Sequence, residues 1–112
     1  MMATIRMMQG DTYSLFAALK INGETLTPDM VGDVEITVGS TLRKLYSAGE
    51  VLYDKSLSQW YFVPSQQETM AMEPGSYDVQ ARIKVDNGTN SAVRGVTIGR
   101  LLILDALSEE VI

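Results

Sequence analysis

Between residues 76 and 85 the chain alternates without a break. Tyr77, Val79, Ala81, Ile83 and Val85 fall on one side, and Ser76, Asp78, Gln80, Arg82 and Lys84 on the other. A period of two with one apolar side predicts a long, half-buried β-strand. Pro74-Gly75 stands just before it, so the strand is entered through a turn. Weaker versions of this pattern recur. Residues 3–9 put Ile5 and Met7 on one face before Gln9-Gly10-Asp11 breaks the run. Residues 12–21 put Tyr13, Leu15, Ala17, Leu19 and Ile21 on one side. Their other side, with Ser14, Phe16, Ala18 and Lys20, is mixed, which predicts burial on both faces for part of the length. Residues 33–39 alternate Val34, Ile36 and Val38 with Asp33, Glu35 and Thr37. Residues 41–47 alternate poorly and read as a strand or a distorted edge, for which Arg43-Lys44 is suited. Residues 51–55 and 59–63 read as a hairpin joined near Ser56-Leu57-Ser58.

Turn signals separate these runs. Asn22-Gly23 favours a tight hairpin, and Pro28-Asp29 a loop or a short helical turn. Ala48-Gly49-Glu50 turns the chain again. Ser65 followed three residues later by Glu68 fits a capped helical turn, with a plain loop as the rival. Asp86-Asn87-Gly88-Thr89 is the strongest hairpin signal. Residues 92–98 then return, interrupted by Gly95. Residues 100–104 continue after Gly99, as a bend or bulge within one final strand. The expected fold is all-β: one antiparallel β-sandwich domain over residues 1–112, of about seven or eight strands, with a compact barrel as the rival. No segment of ten residues has clear helical periodicity, which makes a parallel α/β fold a poor candidate. Residues 105–112, acidic at Glu109-Glu110 and apolar at the end, form a flexible or partner-docking tail.

Composition narrows the function. At 112 residues and 46% hydrophobic, the chain can bury one core. Its 21% of charged residues is low, as on a surface partly covered by a partner. The net charge of −5 and the scattered basic residues disfavour nucleic acid. Cysteine and histidine are both absent, which removes disulfides, the usual general base and the commonest metal ligand. Neither a signal-peptide pattern nor a membrane-length apolar run is present, so no membrane association is expected.

Candidate chemistry is sparse. Asp33 and Glu35 share a strand face, a spacing from which a glycosidase carboxylate pair could begin, but a solvated face is the expected reading. No nucleophile–histidine arrangement or phosphate-binding glycine loop occurs, and Asp86-Asn87-Gly88 lacks the rest of a calcium loop. No catalytic, cofactor or metal residue is assigned, and the chain is not expected to be an enzyme. Trp60 and Phe62 share one strand face and are expected in the core, with Tyr61 opposite. The alternative is a carbohydrate-binding module using an outward row of Tyr46, Tyr53 and Trp60 or Tyr61. Tyr77, just past Gly75, either ties its hydroxyl back to the preceding loop or is simply buried. Met70 and Met72 are expected to fill one edge of the core. Trp60, Pro74, Gly75, Tyr77, Asn87 and Gly88 are therefore assigned structural roles.

Three segments carry a resemblance: Gln9-Gly10-Asp11-Thr12 with the strand to Leu19; Trp60-Tyr61-Phe62-Val63-Pro64 with Ser65-Gln66-Gln67-Glu68-Thr69; and residues 72–83 around Pro74-Gly75-Ser76-Tyr77. In this order they resemble the N-terminal immunoglobulin-like module of baseplate upper proteins and related tail components of tailed phages and prophages. The likeness covers about residues 4–103. It departs at Leu26-Thr27-Pro28-Asp29-Met30-Val31-Gly32, where such modules commonly carry Leu-Thr-Gly. The resemblance implies an immunoglobulin-like sandwich and a structural part of a tail or baseplate. Such a part would be made in the bacterial cytoplasm and associated with the virion. Its partners would be other phage tail or baseplate proteins, or further copies of itself. Strand addition at residues 41–55 or at the tail would make the contacts, with Leu107, Val111, Ile112, Tyr46 and Tyr53 as the contact residues.

Overall fold

The computed structural model describes residues 3–86 and 91–107. The chain is mostly β. Among the described residues its strands are β1 (Ala3–Met8), β2 (Leu15–Ala17), β3 (Lys20–Ile21), β4 (Glu24–Thr25), β5 (Asp33–Val38), β6 (Leu42–Leu45), β7 (Leu52–Asp54), β8 (Gln59–Phe62), β9 (Gly75–Asp86) and β10 (Ser91–Leu104). A 3-10 turn (Pro28–Met30) and one short helix, α1 (Gln66–Met70), complete them. A five-stranded sheet runs β1-β10-β9-β5-β6, a three-stranded sheet runs β2-β8-β7, and β3-β4 form a small ribbon.

The alternation of β9 places its residues as expected. Val79, Ala81 and Ile83 are buried, while Ser76, Asp78, Gln80, Arg82 and Lys84 are exposed. Val34, Ile36 and Val38 of β5 face the same core, joined by Leu101 and Ile103 of β10 and Met7 of β1. The three-stranded sheet contributes Leu15, Trp60 and Phe62. Buried apolar area of this kind is the main force holding the sheets together.

Two expectations are corrected. The strand expected over residues 12–21 is broken after Ala17. Leu19 stays inward, its carbonyl accepting from Leu26 N–H at 2.9 Å, and the chain swings into the β3-β4 ribbon. The turn at Asn22 and Gly23, with φ of 52° and 78°, closes that ribbon. The mixed outer side is not buried: Phe16 and Ala18 are exposed, and Phe16 stacks on Tyr61 across the β2-β8 pair, with ring centroids 4.8 Å apart. This break, with the added strand β4, accounts for the extra strands. The second correction concerns direction. β1 pairs with β10 in parallel, Ala3 opposite Gly99 through Met8 opposite Leu104. Strands from opposite ends of a chain need no tight turn between them, so a parallel pairing is open to them.

The final strand is continuous, as its two halves suggested. Thr97 pairs with Gln80 and Gly99 with Val79, so Ile98 is the extra residue of a bulge. β9 and β10 pair up to Asp86 and Ser91. Asn87 and Gly88, expected in the connecting turn, lie outside the described residues, as do Val111 and Ile112.

Candidate functional site

The residues given structural roles form a connected frame. Trp60 is fully buried, and its indole N–H donates to Leu26 C=O at 3.0 Å, meeting the need of a buried polar tip. Tyr46 and Tyr53 pack edge-on against it, each with its ring centroid 5.1 Å away. Both tyrosines are half-buried. Of the row a carbohydrate platform would use, Trp60 is thus turned inward, and Tyr61 stands on the outer face with Phe16. The Tyr77 hydroxyl donates to Glu73 C=O at 2.6 Å, the tie to the preceding loop expected from its position. Pro74 is exposed, and Gly75 has φ 150°, a backbone state that favours glycine.

The motifs at residues 9–12 and 65–69 meet in space. The Thr69 hydroxyl, wholly buried, accepts from Gly10 N–H at 3.0 Å and donates to Asp11 C=O at 2.8 Å. Gln9 Nε2 donates to Met72 C=O at 2.8 Å. Ser65 and Glu68 form the capping box anticipated from their spacing. Met72 is buried in the core, while Met70 ends the helix against Gly10.

The acids expected on a solvated face are instead engaged. Glu35 is buried beneath two arginines: Arg82 Nε donates to it at 2.7 Å and Arg43 Nε at 2.5 Å. Arg82 sits directly opposite Glu35 on β9, and Arg43 reaches it diagonally from β6, where it lies opposite Thr37, so the sheet register makes this cluster. The Arg82 hydrogen bond, above all, outweighs burial and lowers the Glu35 pKa. The Arg82 guanidinium is raised in turn. Asp33 turns away from Glu35 and accepts from the Ser47 hydroxyl and backbone and from Val34 N–H. Burial raises its pKa, but those hydrogen bonds and Lys84 prevail and lower it. Glu68 is likewise raised by burial but lowered overall by Lys44, at 2.7 Å, and Ser65. These carboxylates each hold partners in the fold and do not face one another as an acid–base pair.

The edge expected over residues 41–55 is present, divided between two sheets. β6 is an edge of the five-stranded sheet and β7 of the three-stranded one. Part of the β6 edge is closed by its own turn, where Glu50 and Val51 N–H donate to Leu45 C=O. A more open edge lies elsewhere, and sequence reasoning missed it. β1 covers β10 only from Gly99 onward. Among the described residues no strand pairs with the same side of β10 from Ala92 to Ile98. Val93 and Val96 there are 64% and 46% exposed. Beside this edge, between β2-β3 and β10, lies a largely apolar cavity of about 400 Å³, lined by Leu15, Ala17, Leu19, Val96 and Ile98 among others. A signal for it existed in the length of β10 against the shorter β1, but the pairing partner of β1 cannot be read from one strand alone.

Leu107 is fully exposed. Among the described residues no helix is long and apolar enough to cross a membrane. Comparison of the chain with protein-family models, curated proteins and solved structures gave no match.

Proposed function

We propose that the chain is a non-enzymatic structural or adaptor part of a phage or prophage tail or baseplate, acting through protein–protein assembly on an immunoglobulin-like sandwich. The observation that carries the assembly reading is the open edge of β10, apolar and beside a cavity. Exposed sheet edges are ready templates for a partner strand, and monomeric proteins usually block them. The phage assignment rests on the resemblance of residues 4–103. The tie from Tyr77 to Glu73 supports the immunoglobulin-like reading, because a tyrosine held in this way is a feature of such sandwiches.

Light scattering coupled to size exclusion, over a concentration series, tests the reading. A discrete oligomer is the expected result. A strict monomer that also fails to bind purified tail and baseplate proteins would sink it.

A further inference from the structure

We propose that the open half of β10 receives residues 107–112 of a second copy as an added strand, with Glu109 of one copy set against Arg94 of the other. The inference rests on the assembly reading and specifies its contact.

The argument starts from register. Residues directly opposite each other on paired strands share a face of the sheet. Ala92, Arg94 and Val96 lie opposite Val85, Ile83 and Ala81. Ile83 and Ala81 are buried in the core, so Ala92, Arg94 and Val96 belong to the core-facing side of β10. All three are nevertheless exposed, because no described strand or loop covers that side there. The edge thus offers an apolar–cationic–apolar series. Arg94, Lys20 and Val96 also border a second cleft of about 210 Å³ beside the β3 turn. An incoming strand would slide its inward side chains between this turn and β10, toward the larger cavity.

Leu107-Ser108-Glu109-Glu110-Val111-Ile112 has the matching series. In an extended strand Leu107, Glu109 and Val111 share a face. Apolar, acidic and apolar then meet apolar, cationic and apolar. Six residues extend about 20 Å, the length of the open edge.

The contact has to be made between copies. Arg94 lies ten residues back along β10 from Leu104, about 33 Å. Glu109 is five residues beyond Leu104 and reaches at most about 18 Å. A copy cannot place its Glu109 on its own Arg94. Donor and acceptor surfaces differ, so a one-way contact propagates head-to-tail into a ring or an open filament, while a reciprocal exchange of tails closes a two-fold dimer.

Charge exchange in the full chain tests this. Association is measured by sedimentation velocity for the unmodified chain, Arg94→Glu, Glu109→Arg and the double variant, with circular dichroism as the check on folding. Each single reversal is expected to weaken association about tenfold, and the double exchange to restore it to within about threefold. Arg94→Gln and Glu109→Gln, which are gentler, should each show a smaller loss in the same direction. Oligomers indifferent to all these changes would overturn the tail contact while leaving assembly intact. A chain that stays monomeric at every concentration would also overturn it, and the assembly reading would then depend on a different protein as partner.

Discussion

The hydroxyl of Thr69 joins α1 to the turn after β1, accepting from Gly10 N–H and donating to Asp11 C=O in a place without solvent. A buried donor left without a partner costs more than the hydrogen bond itself contributes. Thr69→Val keeps the shape and removes the hydroxyl, so it is expected to destabilise the chain by about 1–3 kcal/mol. Thr69→Ser keeps the hydroxyl and loses one methyl group, a cost of about 1 kcal/mol. Urea unfolding of both variants checks this, and Thr69→Val should show the lower midpoint at an unchanged slope. Glu35 makes the same point with charge. Its carboxylate is buried, while the two arginines that hold it lie mostly in solvent. Neither role was visible in the linear sequence. Thr69 depends on a contact with residues nearly sixty positions away, and Glu35 sits at a parity that normally faces water. Trp60 was easier to place, because a large aromatic residue alternating with Phe62 has few other homes than the core.

At the level of elements, the legible parts were those determined by neighbours in sequence. The alternation of β9, the helix cap at Ser65 and Glu68, the Asn22-Gly23 turn and the irregularity near Gly99 all follow from local chemistry. The illegible parts required knowing which strand lies beside which. The break after Ala17 depends on the pairing of Leu19 with Leu26, and the parallel course of β1 depends on β10. The open half of β10 was hidden for the same reason, since an edge is defined by the neighbour a strand lacks. The entry to β9 is a local feature that can be tested. Gly75 has φ 150°, and a β-branched residue there is strained even though the space beside it is open. Gly75→Val is expected to cost about 1–3 kcal/mol, read as a fall in the thermal midpoint. The same midpoint in Gly75→Val and the unmodified chain would show that the turn does not require glycine.

For the molecule as a whole, the charged groups make stability depend on pH in one direction. Asp33, Glu35 and Glu68 all have folded-state pKa values below their ordinary values of 3.8, 4.5 and 4.5. The native state therefore holds fewer protons than the unfolded chain while these groups titrate. Their stabilisation is complete above the ordinary values and is lost as pH falls through the lowered ones. With no histidine in the chain, no histidine titration adds to the profile between neutral pH and that range. Urea midpoints are accordingly expected to stay level from about pH 7 down to about pH 5, then to fall steadily. Glu35→Gln tests the source of that fall. It should lower stability at neutral pH by about 1 kcal/mol, a figure kept small because both arginines are exposed and screened. It should also flatten the acid limb, because a glutamine cannot titrate. If the variant instead loses stability at neutral pH but keeps the full acid slope, the pH dependence must arise at Asp33 and Glu68. The Ser47 turn and the Lys44–Glu68 contact between β6 and α1, not the arginine cluster across β6, β5 and β9, would then be the acid-sensitive part of the fold.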